Sequence, residues 1–290
     1  MRDYIIVTDA TSDIPNEMAN ELNVKVVPMS FSLGEKNYNH YPDYRELDIK
    51  TFYDKQRAGQ TSLTTQINVA VYLDFFEEII KSDKDVLYIS FSSALSSTYQ
   101  SSVLAAKELN EKYPDFKIIT IDSKAGTLGE TLLVKLAAQK KSEGMNIEDL
   151  SKWVAENHLK VCHYFTVDDL NHLKRGGRMT AMTAFIGTAL DIKPILHVND
   201  EGKLIPLDKV RGRKKALKVL FNYLAELSEN LEEQTIFIGH GDCIEDARYL
   251  ESLIKEAYKV KEVIIHPIGP IIGSHTGPGA ITLFFLGKHR

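Results

Sequence analysis

The sequence predicts an α/β protein of two domains. The first is built on a mostly parallel sheet with helices on both faces, and the second is a smaller mixed α+β domain. Short β-branched runs alternate with longer amphipathic stretches up to about residue 160, which is typical of a parallel sheet covered by helices. Beyond that point two strand patterns follow each other across the turn "NDEG", which indicates antiparallel pairing. The length of 290 residues also favours two cores.

The elements of the first domain, residues 1–160, follow from hydrophobic periodicity. Strands are predicted at 4–9, 24–31, 86–92 and 117–123, where apolar and β-branched residues form short runs. Helices are predicted at 52–59, 72–82, 99–113 and 129–144, where apolar residues recur at i, i+3 and i+4. The carboxyl ends of these strands are the first places to look for a ligand.

The second domain, residues 161–290, has a different order. Strands are predicted at 161–167, 193–198, 203–210, 235–241, 260–269 and 280–287, and helices at 215–229 and 245–258. The stretches 193–198 and 203–210 form the hairpin. We find no Pro/Gly linker between the halves, so the domains are expected to pack tightly.

The composition restricts the classes of function. Hydrophobic residues make up 43% and charged residues 26%, as in soluble globular proteins. The net charge of −5 argues against broad attraction to nucleic acid or to anionic membrane. No run approaches the roughly 18 apolar residues of a membrane span, and the N-terminal apolar run is too short for a signal peptide. We therefore expect a cytoplasmic protein without stable membrane insertion.

The two cysteines, Cys162 and Cys243, stand far apart and outside any CxxC or Cys/His cluster. That spacing favours neither zinc binding nor a disulfide framework, and it suits thiols in a reducing compartment. We expect no metal and no cofactor.

Hydroxyl-rich segments precede two of the predicted helices. The segment 92–98, "SSALSST", supplies Ser93 and Ser96 directly after a strand, and the segment 60–68, "QTSLTTQIN", supplies Thr64 and Thr65. One or two of these hydroxyls are expected as helix caps. The surplus would make a donor-rich pocket that contains few cations and suits a carboxylate better than a polyphosphate.

A glycine-rich segment near the C-terminus, "PIIGSHTGPGA" (270–280), surrounds one histidine with hydroxyls. We predict a loop here that either forms a simple turn between strands or contributes Ser274 and His275 to an anion site. The hydroxyl segments favour the second interpretation.

Two basic segments contain candidate anion contacts. They are "LKRGGRM" (173–179), with Arg178, and "KVRGRKKALK" (209–218), with Arg211 and six cations in ten residues. We expect Arg178 and Arg211 to meet a phosphate or an acidic partner surface. A nucleic-acid interface is the alternative, but the negative net charge and the lack of interleaved aromatic residues disfavour it.

Catalytic signatures are missing from the sequence. We find no Walker A, GxGxxG, HExxH or GxSxG pattern, which removes most support for nucleotide binding, zinc proteolysis and α/β-hydrolase chemistry. A serine-type hydrolase of a small acyl ester, with Ser93 as nucleophile and His275 as base, stays open as an alternative.

Together these segments resemble the DegV family of bacterial fatty-acid-binding proteins. The similarity runs through "VTDATSDIP", "TTQIN", "SSALSSTYQSS", "LKRGGRMTAMTAFIGTALDIKPIL", "KVRGRKKA" and "GSHTGPGA". Two positions depart from the family pattern: Ile67 stands where proline is usual, and Ser97 where glycine is usual. Neither change removes a donor, but both could alter the shape of a loop.

The resemblance implies a non-enzymatic protein that holds one long-chain fatty acid between its domains, with the carboxylate bound by Thr64, Ser93, Ser96 and His275. It further implies a partner, the separate ATP-binding subunit of a fatty acid kinase, which makes an acyl phosphate for phospholipid synthesis. Arg178 and Arg211 would then face the kinase or the new phosphate. The absence of a nucleotide motif fits that division of labour.

Overall fold

The structure is a computed structural model that describes residues 2–178 and 191–290. Residues 179–190, which belong to the segment of family resemblance, lie outside the described residues. The strands are β1 (Tyr4–Asp9), β2 (Val24–Val27), β3 (Met29–Leu33), β4 (Lys36–His40), β5 (Ser62–Thr64), β6 (Asp85–Ser90), β7 (Ile118–Asp122), β8 (Val161–Thr166), β9 (Ile192–Val198), β10 (Leu204–Arg211), β11 (Thr235–His240), β12 (Glu262–Pro267) and β13 (Ile281–Leu286). The helices are α1 (Asn16–Glu21), α2 (Ile49–Arg57), α3 (Val69–Lys81), α4 (Thr98–Lys112), α5 (Leu128–Ser142), α6 (Ile147–Asn157), α7 (Asn171–Arg175), α8 (Arg213–Leu227), α9 (Ile244–Ala257) and α10 (Pro270–Thr276).

A parallel sheet in the order β2-β1-β6-β7 forms the centre of the first half. Side chains along β1 alternate between two apolar layers. Ile5 and Val7 join the layer formed with α3 and α4, whereas Tyr4 and Ile6 join the layer formed with α5 and α6. Burial on both faces explains why β1 and β6 appear in the sequence as continuous apolar runs.

The predicted strand 24–31 is wrong as a single element. It divides at Pro28 into β2, which stays in the parallel sheet, and β3, which pairs with β4 and β5 in a small antiparallel sheet. Proline cannot donate to a ladder, so the chain leaves the parallel sheet there. The small sheet is absent from the sequence-based prediction, and it positions Thr64 opposite Phe31.

The second half contains a mixed sheet in the order β10-β9-β8-β13-β11-β12. The predicted hairpin is confirmed, since β9 and β10 pair antiparallel. Helices α8 and α9 cover one face. Helix α5 covers the other, because its side chains share one core with Leu87 of β6 and with Phe237 and Phe284 of the mixed sheet.

The predicted fold class is therefore confirmed, and α5 lies between the two sheets. The hydrophobic pattern changes between the end of α6 at Asn157 and the start of β8 at Val161. The placing of a domain boundary at residue 160 remains a prediction.

The glycine-rich segment predicted as a loop is a short helix, α10. Pro270 occupies its first turn, where a missing N–H costs nothing. The Ser274 hydroxyl donates to the Pro270 carbonyl at 2.6 Å instead of pointing at a ligand. The helix ends at Gly277, whose positive φ of 73° favours glycine. This helix packs against α2, α7, β3 and β5, and so joins the two halves.

The structure also bears on the two cysteines and on the search for a membrane-spanning helix. Cys162 is buried, Cys243 is partly buried, and both are free thiols. Burial raises the pKa of each thiol to about 12. In the part of the chain that the structure describes, we find no helix with both the length and the apolar character needed to cross a bilayer.

Candidate functional site

An apolar cavity lies between the two halves of the molecule. The space between the walls is about 760 Å³ with the solvent at its mouth included. Its apolar walls come from both halves: Met29, Phe91 and Leu95 from the first, and Phe165, Ile271 and Phe284 from the second. Such a set of residues cannot bind an ionic substrate along its length, but it suits a hydrocarbon.

A pair of polar side chains, Thr64 and His275, forms one end of this cavity. Thr64 ends the edge strand β5, and His275 lies in the last turn of α10. Thr64 Oγ1 lies 2.9 Å from His275 Nε2. The structure thus brings together two predicted site residues that are 211 positions apart in the sequence.

His275 is neutral at this site. Burial, reinforced by the nearby charge of Arg178, lowers the pKa of His275 to about 4. Its Nδ1 is buried and has no hydrogen-bond partner among the described residues. A lone pair tolerates that position better than an N–H would, so we assign the proton to Nε2, which donates to Thr64 Oγ1. The Thr64 hydroxyl proton is then free to donate into the cavity.

Glycine in the "RGGR" segment makes this arrangement possible. A Cβ on Gly176 would lie 2.0 Å from His275 Nδ1, so a larger residue would displace the imidazole ring. Gly177 has a positive φ of 71°, which most side chains avoid. The two glycines therefore let the backbone pass directly beside the histidine.

Ser96 and Arg178 also line the cavity. The Ser96 hydroxyl donates to Thr98 Oγ1 at 3.0 Å and accepts from the Thr98 N–H. Arg178 Nε donates to the carbonyl of Leu95 at 3.1 Å, and its Nη1 donates to the carbonyl of Gly176. Arg178 therefore belongs to the cavity wall, where it ties the segment around Leu95 to the glycine turn.

The remaining predicted residues lie elsewhere. Ser93 is exposed, and its hydroxyl donates to Asp122 Oδ2 at 2.5 Å. Thr65 is exposed beside β5, Arg211 is exposed at the end of β10, and neither lines the cavity. Ser274 donates to its own helix.

The placement of Ser93 away from the cavity disfavours its predicted part in the site and the hydrolase alternative. Among the described residues no hydrogen bond joins Ser93 to His275, and Ser93 is not part of the cavity wall. Its partner is the carboxylate of Asp122, because the loop after β6 packs beside the end of β7. The nucleophile and the base that a serine hydrolase needs are not brought together.

The surplus of hydroxyls at the start of α4 has a structural use. Ser92 donates to the carbonyl of Gly202 at 2.8 Å and so ties the loop to the β9–β10 turn. Thr98 Oγ1 accepts from the backbone N–H of Ile67 at 3.3 Å. The sequence could not show which of these hydroxyls faces a cavity.

Three polar residues of the cavity wall were missed from the sequence: Thr127, His163 and Thr282. Each is at least nine-tenths buried, and Thr127 Oγ1, His163 Nε2 and Thr282 Oγ1 have no partner among the described residues. Burial lowers the pKa of His163 well below its ordinary value, so this imidazole stays neutral. The predicted strands at 161–167 and 280–287 contain two of them, but no pattern marks them as cavity residues.

The fold and this cavity define a class: a two-domain α/β protein with an apolar cavity between its domains and neutral hydrogen-bonding groups at one end. The chain belongs to the DegV family. Residues 4–288 match the family described as "Uncharacterised protein, DegV family".

Relatives match over their full length. A DegV domain-containing protein from Clostridium perfringens is 47% identical over 290 residues, covering 100% of this chain and 99% of the relative. One from Streptococcus pyogenes is 32% identical over 286 residues, covering 99% of each.

Solved structures of similar proteins share the fold. DegV, a fatty acid binding protein from Bacillus subtilis, superimposes with a TM-score of 0.86 at 30% identity, covering 99% of this chain and 100% of that one. A stearic acid-binding protein from Eubacterium ventriosum gives a TM-score of 0.85 at 27% identity, covering 98% of each chain. A DegV lipid binding protein from Thermotoga maritima gives 0.87 at 28% identity, covering 99% of each.

Proposed function

We propose that this protein binds one long-chain fatty acid between its two domains and presents the carboxylate to a separate, ATP-binding kinase subunit. That subunit would transfer the γ-phosphoryl group of ATP to a carboxylate oxygen, giving an acyl phosphate and ADP. The observation that carries the binding proposal is the apolar cavity that ends at Thr64 and His275. Solved relatives named as fatty acid binding proteins support it.

The hydrocarbon tail supplies the affinity. About 15 methylenes at roughly 0.8 kcal/mol each give on the order of 10 kcal/mol before ordering costs. Phe165 and Phe284 are both more than nine-tenths buried, on neighbouring strands of the mixed sheet. These side chains would pack against the tail.

The carboxylate would be bound by neutral donors. The Thr64 hydroxyl is oriented by His275 and can donate to a carboxylate oxygen. Ser96 lines the same cavity and is a second candidate donor. Neutral donors leave the carboxylate its charge and nucleophilicity, which a tight ion pair would reduce.

Presentation to a kinase is supported by what the chain itself lacks and by its arginines. The sequence has no Walker A or other nucleotide signature, so ATP would come with the partner. Arg211 is exposed and free to meet an acidic surface or a phosphate. Arg178 is half-buried at the cavity end, where it would face the new phosphate and not pair with the carboxylate. A cytoplasmic location belongs to the same proposal.

Organic extraction of the freshly purified protein, followed by mass spectrometry, tests the binding proposal. We expect close to one equivalent of fatty acid per chain, and a rise in melting temperature when palmitate is returned to delipidated protein. Absence of lipid together with an unchanged melt at saturating palmitate would reject it. Acyl phosphate formation with the cognate kinase and ATP tests presentation separately.

A further inference from the structure

A second cavity, polar in character, adjoins the apolar one. It encloses about 530 Å³ with the solvent at its mouth included. Thr64, Arg178 and His275 line both cavities, so these side chains form the partition between them. Beyond the partition the polar cavity is lined by Gln56, Ser62, His172 and Arg175, among others.

The polar cavity has an excess of positive charge. Among the residues that the structure describes, no aspartate or glutamate lines it, whereas Arg175 and Arg178 do. Five other arginines form salt bridges with carboxylates: Arg2, Arg45, Arg57, Arg213 and Arg248. Among the described residues Arg175 and Arg178 have no carboxylate partner. Two guanidinium groups that face one space and have no carboxylate partner indicate an anion site.

Several donors in this cavity are unused. Arg175 Nη2 donates to His172 Nδ1 at 3.0 Å. Since a guanidinium can only donate, His172 Nδ1 accepts and the ring proton lies on Nε2. That N–H, and the Nε and Nη1 of Arg175, have no hydrogen-bond partner in the described ranges. Ser62 Oγ accepts from Gln56 Nε2 at 2.9 Å, which leaves its own proton free to donate.

The position of the cavity indicates which anion it would hold. A carboxylate hydrogen-bonded to Thr64 lies at the partition, and a group attached to its oxygen would extend into the polar cavity. Several convergent donors with two guanidinium groups suit a tetrahedral, doubly charged group better than a planar, singly charged one. We propose that this cavity is a phosphoryl subsite, in which Arg175 and His172 bind the phosphoryl group of an acyl phosphate whose chain occupies the apolar cavity. This inference rests on the proposed function.

Hexadecylphosphonate, a stable chain with a phosphoryl head, tests the subsite against palmitate. Calorimetry would compare both ligands in the wild type, in Arg175→Gln and in Lys174→Gln. Lys174 is an exposed cation on the same helix that does not line the cavity, so it is the matched control. We expect the wild type to bind the phosphonate at least as tightly as palmitate. Arg175→Gln should lower phosphonate affinity about tenfold more than palmitate affinity, and Lys174→Gln should change neither.

Each contrary result has a distinct meaning. Wild-type protein that binds palmitate but rejects the phosphonate overturns the subsite and leaves the proposed function standing. An equal effect of Arg175→Gln on both ligands also overturns it. If the protein binds neither palmitate nor the phosphonate, the proposed function and this inference are both overturned. Tight binding of inorganic phosphate alone, unaffected by palmitate, would assign the cavity to free phosphate and contradict a lipid-borne group.

Discussion

The inner wall of the apolar cavity and its polar end are built by opposite means. The inner wall consists of buried side chains such as Phe165 and Phe284, which project from adjacent central strands of a six-stranded sheet. The polar end is assembled from Thr64 on an edge strand and His275 on a short helix, which meet through one hydrogen bond. Under the proposed function, the buried apolar wall would supply most of the affinity, whereas a few oriented donors would decide where the carboxylate lies.

Filling the apolar cavity from its wall should have the largest effect. Val198 is buried in the cavity wall, and Val198→Trp should displace about four methylenes, or roughly 3 kcal/mol. We expect palmitate affinity to fall by about a hundredfold while decanoate affinity changes little. Calorimetry with both acids gives the result, and Leu207→Trp, on an exposed residue of β10, is the control. Equal losses of affinity for palmitate and decanoate would show that this part of the wall does not contact the far end of the long chain.

Acid should destabilise the folded protein through His275, at the polar end of the cavity. The pKa of histidine is about 6.5 in an unfolded chain, and burial lowers that of His275 to about 4 in the folded protein. Between these values the unfolded state binds more protons, so this contribution to stability is complete above pH 6.5 and is lost as the pH falls toward 4. His275→Gln should remove on the order of 3 kcal/mol of that pH dependence.

Urea denaturation from pH 7 to pH 4 measures this difference. His289→Gln is the control, because His289 is exposed. A pH dependence in His275→Gln as steep as in the wild type would mean that other groups carry it.

Removing the Thr64 hydroxyl should have a smaller effect on binding. Thr64→Val keeps the shape and removes the donor, so we expect palmitate affinity to fall about tenfold. His275→Ala should lower palmitate affinity by a similar factor, since one hydrogen bond to the carboxylate is worth roughly 1 to 3 kcal/mol. Because His275 acts through Thr64, the double variant should lose less than the sum of the two single losses. Strictly additive losses would mean that the two residues act independently, which contradicts the coupling. Thr65→Val, at an exposed residue, is the control.

The smallest effect is expected at Thr282, which places an unpartnered hydroxyl in the inner wall. Thr282→Val replaces it with a methyl group of similar shape. We expect stability to rise by up to about 1 kcal/mol and palmitate affinity to rise a few-fold. Thermal melts and calorimetry measure the two quantities. Reduced affinity would mean that this hydroxyl has a polar partner in the bound ligand.

The sequence predicted the buried strands better than the polar edge strands. Continuous apolar runs identified β1, β6 and β8 because their side chains are buried on both faces. The polar edge strand β4, "KNYNH", has no such pattern. Its existence depends on pairing with β3, which begins just after Pro28.

The sequence indicated which types of residue line the cavity, but not which individual side chains point into it. Thr64, Ser96 and His275 were identified from hydroxyl and glycine-rich segments, and they line the cavity. Ser93, three positions before Ser96, faces Asp122 instead. Which hydroxyl of a loop turns inward depends on the packing of neighbouring strands, and a single sequence does not reveal that packing.

The orientation of the bound chain tests the central claim most directly. Palmitate with a diazirine at its terminal carbon would be bound, irradiated and located by peptide mass spectrometry. With the tail on the inner wall and the carboxylate at Thr64, the label should fall in peptides from β8 and β13, which contain Phe165 and Phe284. Label concentrated at Thr64 and His275, or spread over the surface, would contradict the account.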